Sequence, residues 1–142
     1  MERFTKEHTT PLETSEKRPR FHEILLRNNF GNITAQAKLE YRNTVVPSYY
    51  ISYLEVLLGS EDKKVGQELV ATINHFLEKK GATGVLYVIK DSPKAEHIYK
   101  KFGWGFQKGT DFMFYNTPHF LSDEDKVKMI ANIKSSWKRS QD

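Results

Sequence analysis

The sequence predicts a single domain of the α/β class, in which strands and helices alternate along the chain. Two segments carry this prediction, Tyr49–Lys80 and Gly84–Phe102, because each joins an apolar, β-rich run to an amphipathic helix. The length of 142 residues and the hydrophobic content of 38% suit one modest core. We expect the order strand, strand, strand, helix, strand, helix, strand, strand, helix.

The first of the two segments combines a strand, a charged turn and a helix. Tyr49–Leu58 is predicted as a strand from its length and its aromatic and β-branched content. After the turn GSEDKK, Val65 and Gly66 open a helix that Gly81 ends. The apolar side chains of this helix recur at helical spacing: Leu69, Val70, Ile73, Phe76 and Leu77.

The turn before this helix is a candidate anion site. The first N–H groups of a helix have no partner within it, and the helix dipole places partial positive charge there. Lys63 and Lys64 add two cations, and Gly66 would let a ligand approach the backbone without a Cβ in the way. The turn therefore suits a phosphate, although a lone glycine before an amphipathic helix is more often an ordinary turn.

The second segment repeats this arrangement on a shorter scale. Gly84–Ile89 is predicted as a buried strand, and Ser92 is a good N-cap for the helix that follows. Pro93 suits the first helical turn, and Gly103 suits the position after the last one. One face of the helix would carry Ala95, Ile98, Tyr99 and Phe102. A tyrosine on such a face is more often a core residue than a catalytic one.

The remainder of the chain completes the expected sheet and adds a last helix. Phe21–Arg27 and Ile33–Arg42 are predicted as a hairpin, and Gly105–Lys108 and Phe112–Tyr115 as two short strands. Ser122–Trp137 is predicted as a helix, because a serine caps it and its first turn is acidic.

The two ends of the chain are expected to lie outside the core. Residues 1–20 are polar and aperiodic, which predicts a flexible tail. Residues 117–142 hold the last helix and would form a C-terminal helical extension. The core is therefore expected to span residues 21–116.

Together the two strand–helix segments resemble the GNAT superfamily of acyl-CoA-dependent N-acyltransferases. Members carry a loop of the pattern Q/R-x-x-G-x-G/A, on which the phosphates of coenzyme A lie. The matching residues here are EDKKVG, which keep Gly66 but have Glu61 and Lys64 at two other pattern positions. A later pattern, N-x-x-A-x-x-x-Y-x-x-x-G-F, is matched more closely by SPKAEHIYKKFGW, with Ser92 in place of the asparagine.

The resemblance covers about residues 21–116 and implies the GNAT fold, a mixed, twisted sheet with helices on both faces. The C-terminal helix would be an addition to it. Family members usually begin with a strand and one or two helices that help to build the acceptor pocket. Residues 1–20 are too few and too polar to supply these elements, so we expect a short member that lacks them.

The same resemblance implies a site for acetyl-CoA. The strand at Leu54–Leu58 would separate from its neighbour, and its backbone groups would hold the pantetheine arm and the thioester carbonyl. The charged turn would hold the phosphates, and the start of the second helix would contact the pantetheine. The residues implied in binding are Val56, Leu57, Leu58, Lys63, Lys64, Val65, Gly66, Gln67 and Ser92.

Two residues are implied in catalysis. Tyr99 matches the family tyrosine that would protonate or hydrogen-bond the departing thiolate. The acceptor amine must lose a proton, and Glu55 is the nearest candidate base, on the strand that would line the thioester. Glu40, His97 and ordered water are weaker candidates, and a single glutamate in a strand is more often solvated or salt-bridged.

The function that follows is transfer of an acetyl group from acetyl-CoA to a primary amine of a small molecule, a protein lysine or a protein N-terminus. The chain has no cysteine for an acyl-enzyme, which favours direct attack of the amine in a ternary complex. Two alternatives stay open: a GNAT-like domain that binds acyl-CoA or a protein partner without catalysis, and an unrelated small α/β domain. A homodimer could close the acceptor pocket.

Composition argues against several other classes of protein. The net charge of +4 is spread along the chain, without the basic face or reader motif expected for nucleic-acid binding. No apolar run approaches the ~20 residues of a membrane span, and the first residues lack the apolar stretch of a secretory signal. The histidine spacings suggest no metal cluster. We therefore expect a cytoplasmic protein without a metal.

Overall fold

The computed structural model describes residues 4–10, 20–57, 63–89 and 93–140. The strands are β1 (Phe4–Thr10), β2 (Phe21–Arg27), β3 (Ile33–Asn43), β4 (Pro47–Val56), β5 (Thr83–Tyr87), β6 (Gly105–Phe106) and β7 (Phe112–Tyr115). The helices are α1 (Lys63–Lys80), α2 (Pro93–Lys101) and α3 (Asp123–Ser140).

The strands form one sheet in the order β1-β2-β3-β4-β5-β7-β6. Neighbours within the half β1 to β4, and within the half β5, β7 and β6, are antiparallel. The two halves meet at β4 and β5, which are parallel because α1 crosses over between them. The mixed sheet that the resemblance implies is confirmed.

Helices cover both faces of the sheet, as expected. Side chains alternate along a strand, so neighbouring residues enter different cores. On one face, called here the α1–α2 face, the core includes Leu86 and Met113. On the opposite face, called the α3 face, Val85 and Phe112 pack with residues of α3.

The N-terminal segment differs from the expected tail. Phe4–Thr10 form β1, which pairs antiparallel with β2 from Phe4 opposite Arg27 to Thr10 opposite Phe21. The prediction of a flexible tail over 1–20, and of a missing N-terminal strand, was wrong for these residues. An edge strand is held by main-chain hydrogen bonds to a single neighbour, so it does not need the apolar pattern on which the prediction relied. Residues 11–19 lie outside the described part.

The segment that joins β4 to α1 begins and ends two residues earlier in the chain than predicted. β4 ends at Val56 rather than Leu58, and α1 begins at Lys63 rather than Val65. The two lysines of the turn therefore belong to α1 itself. Gly81 follows the last residue of α1 with a φ of 64°, the left-handed position after a helix for which glycine is suited.

A β-bulge in β4 decides which of its side chains share a face. β3 and β4 pair regularly as far as Lys38 opposite Tyr53, and there the register skips Ser52. Leu54 packs in the core of the α1–α2 face. Because side chains alternate, Tyr53 and Glu55 lie on the α3 face.

The predicted C-terminal helix, α3, is capped and clamped to the sheet. The Asp125 N–H donates to Ser122 Oγ at 3.1 Å, and the Ser122 N–H donates to Asp125 Oδ2 at 3.3 Å, which is a reciprocal cap. From the sheet, the Arg42 guanidinium donates to Asn132 Oδ1 and to Ser136 Oγ, both at 3.0 Å. α3 is therefore an integral layer of the fold.

Asn74 joins α1 to the end of α2. Its side chain is 6% exposed, and its amide N–H donates to the carbonyl of Phe102 at 2.9 Å. Its amide oxygen accepts the indole N–H of Trp104 at 2.8 Å. One amide thus satisfies a donor and an acceptor on the segment that follows α2.

Asn74→Leu is expected to lower the free energy of unfolding by about 2 kcal/mol, because the buried indole N–H of Trp104 loses its acceptor. Urea denaturation followed by tryptophan fluorescence measures this change. Ser135→Ala, which removes an exposed hydroxyl from α3, is the control and should change stability by about 0.5 kcal/mol or less. An unchanged midpoint for Asn74→Leu would show that another acceptor replaces the amide.

Candidate active site

β4 and β5 diverge after three residue pairs. Ser48–Tyr50 of β4 pair with Thr83–Val85 of β5, and the described residues beyond them form no further pairs. β4 nevertheless continues to Val56. The divergence opens a cleft of about 390 Å³ between the two strands.

The cleft takes its walls from both strands and from α2. β4 contributes Tyr50–Leu54, and the end of β5 with the residues after it contributes Leu86–Ile89. α2 contributes Ala95 and Tyr99. The lining is mainly apolar and aromatic with a few hydroxyl groups, which is typical of a pocket for an uncharged organic chain.

The cleft connects the two faces of the sheet. Tyr99 reaches it from the α1–α2 face, where its ring packs near that of Trp104 with centroids 6.2 Å apart. Tyr53 reaches it from the α3 face. A ligand in the cleft therefore meets tyrosine side chains from both faces of the sheet.

Tyr99 presents a protonated phenol to the cleft. Burial raises the pKa of Tyr99 above its ordinary value of 10.0. At neutral pH the hydroxyl is therefore a hydrogen-bond donor. Such a donor can bind a thiolate or give it a proton.

Backbone donors of β4 face the cleft at alternate residues. The Leu57 N–H donates to the carbonyl of Thr34 on β3 at 2.9 Å and is therefore engaged within the sheet. In an antiparallel pair, the N–H groups of the alternate residues, here Val56 and Leu54, point away from that neighbour. Because β5 has already diverged, these two groups are directed to the side of the cleft. Leu58 lies outside the described residues.

The first turn of α1 is a cationic surface beside α2. It begins at Lys63 and contains no acidic residue. Lys64 is exposed, whereas the side chain of Val65 is buried, so Val65 can offer a ligand only its backbone. Gln67 Oε1 accepts a hydrogen bond from Lys101 Nζ of α2 at 3.4 Å. Lys101 is a further cation at this surface that the sequence analysis missed.

Glycine at position 66 is not required by the described part of the fold. Gly66 is not among the glycines with positive φ, and of the described residues a Cβ there would meet only Ile98, whose Cδ1 would lie 3.4 Å away. Alanine is favoured over glycine within a helix by about 1 kcal/mol. Within that part of the chain the missing side chain thus costs stability without serving packing, which favours space kept for a ligand. Through Ile98, Ala95 and Tyr99, α2 touches both this turn and the cleft.

Glu55 lies on the α3 face of β4, next to the cleft. Gln36 Nε2 of β3 donates to Glu55 Oε1 at 2.8 Å. Interaction with the Glu55 carboxylate raises the pKa of Tyr53 above its ordinary value. Tyr53 lines the cleft, and Glu55 is not part of its wall.

The other residues considered as bases are not brought to the cleft. Glu40 forms an ion pair with Arg42 at 2.8 Å, and His97 is exposed on α2. Ser92 lies outside the described residues, as does Glu61. Tyr53 was not predicted as a site residue, although the two-residue period of a strand places it on the same face of β4 as Glu55.

Neither a metal site nor a membrane span is found among the described residues. No three His, Cys, Asp or Glu side chains of that part of the chain are grouped so that they could hold an ion. None of its helices is both long and apolar enough to cross a bilayer.

No protein-family model matches the sequence, and no curated protein matches it significantly. Solved structures do match. A spermidine N-acetyltransferase from Vibrio cholerae in complex with CoA and spermine has a TM-score of 0.55 and 15% identity, over 67% of this chain and 64% of that chain. A GNAT-family acetyltransferase from Staphylococcus aureus Mu50 has a TM-score of 0.53 and 18% identity, over 68% and 66%. The AAC(6')-Iy complex with the bisubstrate analogue CoA-S-monomethyl-acetylneamine has a TM-score of 0.52 and 14% identity, over 61% and 63%.

The matched region amounts to about two thirds of each of these solved chains. At such low identity the likeness concerns the path of the backbone. The mixed sheet and its helices on both faces agree with the architecture that the resemblance implies. The chain therefore has the fold of the GNAT-family acetyltransferases.

Proposed function

We propose that the protein is an N-acetyltransferase that transfers the acetyl group of acetyl-CoA to a primary amine by direct attack in a ternary complex. The observation that carries this proposal is the cleft between β4 and β5, with the Tyr99 phenol in its wall. Two structures of the same fold support a CoA thioester as the donor, since one holds CoA and the other a CoA bisubstrate analogue.

Val56 is the donor that we assign to the thioester carbonyl. Its N–H is directed away from β3, on the side where β5 has diverged. A donor fixed in this position stabilises the oxyanion that forms when the amine attacks, an effect often worth about 2.7–4 kcal/mol of activation free energy. The Leu54 N–H lies on the same edge of β4, two residues earlier, and suits an amide carbonyl of the pantetheine arm.

Tyr99 is the group that we assign to the leaving thiolate. When the tetrahedral intermediate collapses, the C–S bond breaks and its electron pair stays on sulfur. The phenol hydrogen-bonds this sulfur and protonates it. Because burial raises the pKa of Tyr99, the proton is still on the phenol when the negative charge develops.

The first turn of α1 is the site that we assign to the phosphates of CoA. Lys63 and Lys64 begin the helix, and its first turn, which includes Val65 and Gly66, forms the positive end of the helix dipole. Gln67, with the Lys101 ammonium beside it, would border the same anion. Ser92, just before α2, would contact the pantetheine between this turn and the cleft.

The acceptor belongs to the class of primary amines. Spermine is the amine bound in one structure of this fold, and an aminoglycoside derivative is part of the analogue in another. A polyamine and a protein lysine both present an amine on a slender aliphatic stem, and a protein N-terminus is a third member of the class. Such a stem would suit the cleft, whose wall includes Tyr53 and Leu54.

Gly66→Asp is expected to raise the Kd for acetyl-CoA at least tenfold in isothermal titration calorimetry, because its carboxylate repels the pyrophosphate and occupies its space. An acidic residue in the first turn stabilises a helix, so the variant should stay folded. His75→Asp, exposed on the same helix and about 13 Å further along its axis, is the matched control and should leave the Kd unchanged.

The unaltered protein is titrated first with acetyl-CoA and with free CoA. Micromolar binding that Gly66→Asp weakens and His75→Asp preserves would support the assignment. No heat and no shift in melting temperature at millimolar ligand would overturn the proposed function. Equal weakening by both variants would overturn only the assignment of the phosphates to the first turn of α1.

A further inference from the structure

The two sides of the cleft differ in chemistry. On the α3 face its wall includes three tyrosines, because side chains alternate along β4 and β5: Tyr50, Tyr53 and Tyr87. On the α1–α2 face the wall is aliphatic apart from Tyr99, as at Ile51, Leu54, Leu86 and Val88. A molecule that enters from the α3 face therefore meets aromatic rings.

Tyr53 and Tyr87 flank the cleft just beyond the point where the strands part. Tyr50 and Val85 are the last paired residues, so Tyr53 follows three residues later on β4 and Tyr87 two residues later on β5. Tyr53 and Tyr87 are each 42% exposed, whereas Tyr50 is 8% exposed. The two exposed rings are therefore the ones that a bound molecule would cover.

A ring of α3 holds Tyr87 in place. Trp137 packs edge-on to Tyr87 with the ring centroids 5.3 Å apart, and it stacks on Phe112 at 5.8 Å. Phe112 is buried and its ring centroid lies 5.2 Å from that of Tyr87. The C-terminal helix thus supports one wall of the cleft, and it fixes a tyrosine that stays exposed.

Tyr53 already carries an ammonium group. Lys38 Nζ lies 5.8 Å from the centroid of the Tyr53 ring, within the range of a cation–π contact. Lys38 belongs to β3, on the side of β4 that is turned away from β5, so the lysine and the cleft reach this ring from different sides. The described residues of the cleft wall include no carboxylate. Aromatic faces and hydroxyl groups are thus the groups of this wall that can meet a cation.

We propose that Tyr53 and Tyr87 bind an ammonium group of the acceptor with their ring faces, and that Trp137 positions Tyr87 for this contact. The proposal rests on the proposed function and deepens it, because it narrows the class of acceptor. The nitrogen that attacks the thioester must be a neutral amine, so the ammonium on the tyrosines is a second one in the same molecule. The acceptor is therefore an aliphatic diamine or polyamine.

Such a molecule matches both sides of the cleft. Its methylene stem would pack on the aliphatic side, and its charged end would face the rings. Two cation–π contacts at partly exposed rings are expected to strengthen the binding of a cation about five- to thirtyfold.

Hexamethylenediamine is expected to be acetylated with a kcat/KM per reactive end at least about fivefold above that of hexylamine. The two amines share one methylene stem and differ only in the second ammonium. Release of CoA thiol from acetyl-CoA measures both rates. Equal values for the two amines would overturn the proposal. Faster turnover of phenethylamine than of the diamine would also overturn it, in favour of an aromatic acceptor that stacks on the rings.

Tyr87→Leu and Tyr53→Leu should each lower the ratio of the two kcat/KM values at least about twofold. Tyr87→Phe and Tyr53→Phe should keep the ratio, because a phenyl face also binds cations. Phe106→Leu is the matched control, since the Phe106 ring has Lys100 Nζ 5.4 Å from its centroid but is not in the cleft wall. Its ratio should be unchanged. A ratio lost in the two phenylalanine variants would show that hydroxyl groups recognise the acceptor, which would overturn the proposal.

Lys38→Met tests the role of Tyr53 without a change in the cleft wall. Lys38 is exposed, so the variant should stay folded. Removal of a like charge from the Tyr53 ring should raise the ratio about twofold. An unchanged ratio would overturn the assignment of the second ammonium to Tyr53.

Trp137→Leu tests the positioning of Tyr87. It should raise the KM for hexamethylenediamine at least about threefold, while kcat and the Kd for acetyl-CoA are unchanged, and Trp137→Phe should restore the KM. An equal rise in KM for hexylamine would reduce Trp137 to a packing role.

Calorimetric titration with acetyl-CoA separates the two kinds of failure. Absence of acetyl-CoA binding would overturn the proposed function. Acetyl-CoA binding and turnover without preference for the diamine would overturn only the recognition of a second ammonium by Tyr53 and Tyr87.

Discussion

Tyr99→Phe is expected to lower kcat at least about a hundredfold while the Kd for acetyl-CoA stays unchanged. The substitution removes only the phenol hydroxyl, and general acid catalysis typically contributes about 10²–10⁴-fold to a rate. The ring is kept, so its packing near Trp104 is preserved. Release of free CoA thiol from acetyl-CoA, with spermine as the acceptor, measures kcat, and calorimetry measures Kd.

Tyr41→Phe is the matched control for this substitution. Tyr41 is also a partly buried tyrosine of the α1–α2 core, with its ring edge-on to that of Tyr49 at 5.3 Å, but it is not in the cleft wall. Its loss of a hydroxyl should leave kcat within about twofold of the unaltered enzyme. If the Tyr99 and Tyr41 variants turn over equally fast, the thiolate is protonated by solvent or by another group.

Gly84→Ala is expected to lower the free energy of unfolding by about 3 kcal/mol. A Cβ on Gly84 of β5 would lie 2.5 Å from Leu77 Cδ1 and 2.7 Å from Trp104 Cη2. Extra atoms in a well-packed core typically cost about 1–3 kcal/mol. We expect the upper end, because the indole cannot move away without giving up its hydrogen bond to Asn74.

Scanning calorimetry measures this loss as a fall in Tm of roughly 6–12 °C for a domain of this size. Gly105→Ala is the control, since a Cβ at that glycine of β6 would meet no atom within 4 Å and its φ is not positive. It should leave Tm nearly unchanged. Equal Tm values for the two alanine variants would show that the core around Trp104 can yield to an added methyl group.

The helices and strands that are defined by nearby residues, through periodicity, caps and turns, could be predicted from the sequence. The apolar side chains of α1 recur at helical spacing and Gly81 follows its end, so the helix was placed within two residues at its start. Phe112–Tyr115 was predicted as a strand with the bounds that β7 has. Helical period, caps and turn residues all lie within a few positions of the element that they define, and a single sequence therefore carries them.

β1 could not be predicted in the same way. Its partner is remote, since Phe4 pairs with Arg27. An edge strand of polar sequence has no periodic signal, because it is held by the main chain of its neighbour.

The site could be predicted in part for a similar reason. Tyr99 lies on a helix that local pattern defines, and it does line the cleft. Tyr53 was missed because its importance depends on contacts made by tertiary structure. Gln36, the hydrogen-bond partner of Glu55, is 19 residues away from that glutamate on another strand. The register that brings the two together also includes the skipped residue Ser52, which no local spacing predicts.

The bulge at Ser52 gives β4 one position at which a residue can be lost without rearranging the strand. Ile51 and Tyr53 lie opposite Leu39 and Lys38, which are consecutive on β3, so a chain without Ser52 would keep every later side chain of β4 on its present face. Loss of one residue beyond the bulge, such as Glu55, would instead turn the side chains that follow it to the opposite face. A deletion at Ser52 should therefore be tolerated far better than a deletion at Glu55.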